Sequence, residues 1–151
     1  MEILIILLGI FIDRITKIWA VQNLAQFSQI VIIKDIFSFL YLENRGAAFG
    51  ILQNRVSLLT IITIMVVSGM IFYMVKHGFK SSMVKISFSL IISGALGNLI
   101  DRLFYGYVVD FISVHFKDIY YFPIFNVADI LVVVGTILLL FCLLKEEKYE
   151  N

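Results

Sequence analysis

The chain has 151 residues, 61% of them apolar and 15% charged, with a formal net charge of +1 and a mean hydropathy of +1.00. A soluble domain carries roughly 25% charged residues, so an ordinary water-soluble domain is excluded, and the near-neutral charge argues against a nucleic-acid surface or a polybasic lipid-binding tail. A bilayer core of about 30 Å takes roughly 20 apolar residues per helix, which leaves room for four crossings and little else.

The first apolar stretch, Ile3–Ile12, has the look of a signal-peptide core. However, Glu2 stands in place of a basic start, and Asp13-Arg14 follows where a small-residue cleavage site would be needed. A retained first helix over about residues 3–23 is expected. Its second half carries Asp13, Arg14 and Lys17, and charges within a span face a protein interior or a wet cavity, so this helix should pack against its neighbours. Residues 24–55 follow as an outer segment, in which the β-branched and aromatic runs Gln29–Ile33 and Ile36–Leu42 flank Lys34-Asp35. That pattern predicts a small hairpin or cradle at the surface. Its end, Asn44-Arg45-Gly46-Ala47-Ala48-Phe49-Gly50, has two glycines suited to a turn that brings backbone close to something.

The second span, about 56–75, has no charge. The connection from Lys76 to Lys85 holds three lysines and no acid, which places it on the cytoplasmic side. The third span, about 85–104, ends in Asp101-Arg102. A second outer segment, 105–123, contains Asp110, and Pro123 sets the entry of the last span, about 126–144. Both termini then lie inside. Cys142 is the single cysteine and sits in an apolar run, and no Cys/His cluster offers metal-ligand spacing. Neither a metal nor another cofactor is expected.

With this topology, Asn44, Asn98, Asp101, Arg102, Asp110, Asn126 and Asp129 all fall at or beyond the outer ends of the spans. Asp13 and Lys17 lie in the outer half of the first. Polar residues gathered on one side are what a site there would require. Each group also has a structural reading. Asn126 and Asp129, three apart, form a capping box at the start of the last helix. Asn98, Asp101 and Arg102 share a helix face, with Asp101 and Arg102 read as an intrahelical acid–base pair, while Ser93, Gly94 and Gly97 allow close helix approach. Asp13 and Lys17 form an i, i+4 ion pair inside the bundle. Asp110, in Val108-Val109-Asp110-Phe111-Ile112, has no adjacent base and should show a raised pKa or a partner. A second carboxylate from the last helix would be one, and two close carboxylates share a proton. His77 reads as a surface loop residue and His115 as an incidental interfacial one.

Together these motifs resemble the lipoprotein signal peptidase (signal peptidase II) family. The resemblance runs in order through Asp13-x-x-Thr16-Lys17, Asn44-x-Gly46-Ala47-Ala48-Phe49, Gly97-Asn98-x-x-Asp101-Arg102, Val109-Asp110-Phe111 and Phe125-Asn126-x-Ala128-Asp129. It implies an all-α integral membrane protein of four transmembrane helices, with a small extracytoplasmic β-cradle between the first and second. It further implies an intramembrane aspartic endopeptidase of the bacterial cytoplasmic membrane, which cleaves diacylglyceryl-modified prolipoproteins before the lipidated cysteine. By the same resemblance Asp110 and Asp129 are the catalytic pair, and Asn44, Asn98, Arg102 and Asn126 line the substrate site. Asp13, Lys17, Gly94, Asp101 and Ala128 support it. A monomer with a lipid-modified prolipoprotein partner and no nucleic acid is expected. Arg14, Ser93 and Ile130 depart from the family's usual residues without removing a catalytic group.

The rivals are a Ser/Lys peptidase using Lys17 with a serine such as Ser93, for which no spacing provides, and a proton-coupled transporter. The transporter would place its acids nearer the bilayer midplane.

Overall fold

The computed structural model describes residues 1–26, 29–47, 52–79, 81–117 and 119–150, with side chains as far as Lys145. Four long helices are present, α1 (Glu2–Leu24), α2 (Val56–His77), α3 (Ser82–Tyr105) and α4 (Val127–Glu150), together with four strands, β1 (Ile30–Ile33), β2 (Phe37–Asn44), β3 (Val108–Phe116) and β4 (Tyr120–Tyr121). Three helices, α2, α3 and the first nineteen residues of α4, are long and apolar enough to cross a membrane. The central one is α3, which packs against α1, α2 and α4.

Helix α1 is inside out. Gly9, Asp13, Lys17, Ala20 and Leu24 recur every three or four residues and are buried, which is the spacing of a single helix face. Ile3, Leu7, Phe11, Ile15 and Ile18 point outward. Polar residues therefore face the bundle and apolar ones its surroundings, the reverse of a water-soluble helix.

Small residues let α3 and α4 touch. A methyl group at Gly94 would run into the Ala128 carbonyl oxygen and lie 2.8 Å from Val132 Cγ2, and one at Gly135 would lie 2.8 Å from the Ser87 carbonyl oxygen. Ala128 is fully buried at this contact.

The expected all-α fold with a cradle drawn from the first outer segment needs correction. The sheet is four-stranded and antiparallel in the order β1-β2-β3-β4, so the second outer segment supplies half its strands. Asp110 lies on the long strand β3. The nine residues of that strand are buried on both faces over Val108–Phe111, which hides the alternation by which a half-exposed strand is recognised. Val109 and Phe111 pack with Ala20 and Leu24 at the end of α1, and Trp19 makes edge contacts with Phe39 at 5.4 Å and Phe111 at 6.2 Å. Alternation then turns Asp110 to the opposite face.

After β4 the chain runs back along β3. The N–H groups of Phe111 and Ile112 donate to the Phe125 carbonyl, and Phe122 N–H donates to the Val114 carbonyl. This strapping delivers the start of α4 to the strand that carries Asp110.

Candidate active site

Four elements meet where β3 passes the C-terminal end of α3. Opposite Asp110 on β2 is Leu42, and opposite Val108 is Asn44, so Asn44 and Asp110 are diagonal neighbours on one face, within side-chain reach. Asn44 Nδ2 donates to Asp110 Oδ2 at 2.8 Å. The other oxygen, Oδ1, accepts from Asn126 Nδ2 at 2.6 Å.

Asp129 is fixed by the start of its own helix. Asp129 N–H donates to Asn126 Oδ1 at 3.0 Å, and Asn126 N–H donates to Asp129 Oδ2 at 3.1 Å. This is a complete capping box. A third free amide of the helix end, that of Ala128, donates to Asp13 Oδ1 at 3.0 Å. The box does not exhaust Asp129, because its Oδ1 accepts from Asn98 Nδ2 at 2.7 Å. The capping reading of this pair holds, and the same carboxyl also lines the cavity.

Asn98 and Asn126 link the two carboxylates. Asn126 Nδ2 also donates to Asn98 Oδ1, at 3.1 Å, so a continuous chain of amides joins Asp110 to Asp129. Each of the four carboxylate oxygens accepts one N–H and keeps lone-pair capacity for a proton or a water. Asp110 is 1% exposed. Burial, and after it the charge of Asp129, push its carboxyl up to about 7, against the donors Asn44 and Asn126 and the charge of Lys17, which hold it down. The raised value expected for Asp110 and its carboxylate neighbour are thus both found.

Asp101 sits apart from this pair. Its Oδ1 accepts from Arg14 Nη1, its Oδ2 accepts from Lys17 Nζ at 2.9 Å, and Oδ2 also takes the Val109 N–H at 3.2 Å. The expected intrahelical pair of Asp101 with Arg102 is replaced by bonds to α1 and β3. Side chains one residue apart on a helix diverge, so these adjacent groups turn to different partners. Arg102 lines the cavity and its Nη2 donates to the Gly46 carbonyl at 3.4 Å. Lys17 and Asp13 form the i, i+4 pair, Nζ to Oδ2 at 3.0 Å.

Gly46 closes a tight local turn, its N–H donating to Asn44 Oδ1 at 2.9 Å, which fixes the Asn44 amide with Nδ2 toward Asp110. Ala48, Phe49 and Gly50 of the same motif lie outside the described residues. His115 stacks on Tyr121 at 5.0 Å, with Nδ1 3.1 Å from the Lys117 carbonyl oxygen. Two participants went unforeseen, Arg14 as the partner of Asp101 and the Val109 amide. Helical spacing offered a signal for Arg14, one residue from Asp13 and beside the buried stripe. The amide had none, since its role depends on the chain leaving α3 directly into β3.

Both carboxylates open onto a cavity of about 1340 Å³. Its lining includes Gln29, Ser113 and His115 from the sheet and its approach, and Thr63, Ala95 and Val133 from the helices. Two carboxyl groups, one poised to keep a proton near neutral pH, in a cavity able to hold an extended peptide and apolar chains, suit general acid–base hydrolysis.

Comparison with known proteins gives a consistent result. The family model described as signal peptidase (SPase) II matches residues 5–145. A lipoprotein signal peptidase of Clostridium novyi (strain NT) is 57% identical over 98% of this chain and 100% of its own length. One from Streptococcus thermophilus is 46% identical over 94% and 91%. A solved bacterial membrane enzyme, determined by the in meso method at 2.3 Å resolution, superposes with a TM-score of 0.87 at 32% identity, covering 99% of this chain and 91% of the other.

Proposed function

Since the chain belongs to the signal peptidase II family, we propose that it is an intramembrane aspartic endopeptidase in which Asp110 and Asp129 do the chemistry. It removes the signal peptide from diacylglyceryl-modified prolipoproteins, on the N-terminal side of the lipidated cysteine. The observation that carries the assignment is the amide chain through Asn98 and Asn126, which ties these two carboxyl groups, and not Asp101, to the cavity wall.

One carboxylate, ionised, takes a proton from a water between the pair as that water attacks the scissile carbonyl carbon. The other, protonated, donates to the carbonyl oxygen as the tetrahedral intermediate forms. On collapse the C–N bond breaks as the carboxyl that received the water's proton passes it to the leaving amine, while the other carboxylate takes back a proton from a diol hydroxyl as the product's C=O forms, which restores the singly protonated pair. The proton belongs to the pair rather than to either residue. Local charge favours one such proton. Asp13, Asp101, Asp110 and Asp129 face Arg14, Lys17 and Arg102 at this junction, so a single proton neutralises the set. Arg102, Asn44 and the Gly46 turn hold the peptide backbone, and the apolar lining of Ala95 and Val133 receives the acyl chains.

Four crossings follow from the inverted face of α1, which at about 1.5 Å per residue also has the length to span the core. The lysines at 76, 80 and 85 set the α2–α3 turn and both termini inside, which puts the site at the outer face of the cytoplasmic membrane. A Ser/Lys mechanism finds no support, because Lys17 is engaged by Asp13, Asp101 and Asn98, and the Ser93 hydroxyl donates to the Leu90 carbonyl.

The decisive experiment follows cleavage of a diacylglyceryl-modified prolipoprotein in detergent, with and without chelator. Asp110→Asn and Asp129→Asn should each lose about 10²- to 10⁴-fold in kcat, with chelator of no effect on the parent. Equal cleavage of the unmodified prolipoprotein would overturn the lipid-dependent specificity.

A further inference from the structure

Lys17 is buried to its tip, 0% exposed, and takes no part in the proton transfers above. A buried ammonium is costly unless its three N–H donors are met. It forms ion pairs with two carboxylates, Asp13 Oδ2 at 3.0 Å and Asp101 Oδ2 at 2.9 Å, and donates a hydrogen bond to Asn98 Oδ1 at 2.8 Å. Two carboxylates already neutralise it. The third bond goes to a neutral amide, and that amide faces the catalytic pair.

With its oxygen held by Lys17 and by Asn126, Asn98 must turn Nδ2 toward Asp129 Oδ1. A flipped amide would set N–H against the ammonium and oxygen against the carboxylate, leaving two buried mismatches. We propose that Lys17 is a positioning residue that locks the Asn98 amide and thereby presents an obligate hydrogen-bond donor to Asp129. The inference rests on Asp110 and Asp129 being the catalytic pair. Lys17 adds its charge to this role, since that charge works to keep the Asp110 carboxyl down. Arg102 from α3 shares the cavity with the pair, while Asp13 from α1 and Asp101 from α3 face Lys17 itself.

The test measures kcat and KM against pH for Lys17→Met and for Asp13→Asn/Lys17→Met, with Asp110→Asn beside them. The double variant removes one charge of each sign and leaves Asp101 its Arg14 and Val109 partners, so it guards against simple misfolding of the single one. In both, kcat should fall about 10- to 100-fold, as expected of a slightly misplaced catalytic group, with KM little changed. The alkaline limb of the kcat profile should move to higher pH. A double variant with parental thermal stability, kcat and alkaline limb would overturn the proposal, as would a loss of kcat that follows lost stability with the limb unmoved. Should Asp110→Asn cleave at the parental rate, the catalytic assignment itself falls. Should it be dead while the Lys17 variants keep the parental limb, only the role of Lys17 does.

Discussion

Asp110 and Asp101 are nine residues apart, both buried, and both carboxylates in apolar sequence. Their environments separate them. Asp101 is matched by two cations and a backbone amide, whereas Asp110 accepts its hydrogen bonds from two neutral amides with a like charge nearby, and burial takes it up to about 7. A carboxyl held there is protonated below that pH and ionised above it. On the reading that the pair needs one proton, kcat/KM should fall as pH rises beyond about 7. Asn44 stabilises the ionised form of Asp110, so Asn44→Leu, by removing that donor, should carry the fall to higher pH. An alkaline limb that stayed in place or moved down would contradict the role given to this carboxyl. Asp101→Asn supplies the complementary comparison. It should lower thermal stability by breaking bonds to α1 and leave kcat of the folded fraction within about tenfold of the parent, while Asp110→Asn should lose at least about 10². Equal losses in kcat at matched stability would mean that the two acids cannot be told apart by their partners. From the sequence alone these acids are equivalent. The distinction lies in Arg14 and Lys17, which are distant along the chain and reach Asp101 only because α1 packs on α3.

The elements differ in how openly the chain announces them. Helix α2 is uncharged from Val56 to Val75 and α4 from Ile130 to Leu144, so the chain itself marks both as long apolar helices. The capping box of Asn126 and Asp129 was legible too, being a local pattern with a local cause. Strand β3 was not, because pairing with β2 and contact with α1 decide it, and neither partner is adjacent in sequence. The α3–α4 contact lies between these cases. Small residues at Gly94 and Gly97 signal close approach, but only the structure shows what approaches. A methyl at Gly97 would lie 2.6 Å from Asp13 Oδ2 and 3.2 Å from Ala128 Cβ, while one at Gly94 meets backbone of α4. Backbone cannot swing aside as a side chain can. Gly94→Ala should therefore cost about 1–3 kcal/mol, as overpacking of a close interface does, and should reduce kcat by displacing Asp129, which sits on the same turn as Ala128. Gly69 has open space around it, so Gly69→Ala should raise stability slightly through helix propensity. Thermal melts of the purified protein in detergent check both. A neutral Gly94→Ala would mean that α3 and α4 do not meet as closely as described.

At the scale of the whole molecule, a hydrophobic exterior and a charged interior make sense only if the solvent is lipid. Asp13, Lys17, Asp101 and Asp110 are buried, while Ile, Leu and Phe face outward along α1, α2 and α4. The hydrophobic effect that would bury those residues in water has no counterpart among lipid chains, so the interior can be given to polar groups and close backbone contact. The buried ion pairs and Asp110 lie toward the end of the bundle that carries the sheet. The opposite end has the short turn with Lys76 and Lys85 and an aromatic cluster of Tyr73, Phe79 and Phe88. This polarity fixes the function only once the orientation is known, because a prolipoprotein presents its modified cysteine at the outer face. With Cys142→Ala as background, a membrane-impermeant maleimide applied to intact cells should label Lys34→Cys at the β1–β2 turn. It should leave His77→Cys unlabelled until the cells are opened. Both positions are exposed in the fold, so silence at either reports sidedness rather than burial. The reverse pattern would turn the proposed catalytic pair toward the cytoplasm, and a protease of exported lipoproteins could not work from there.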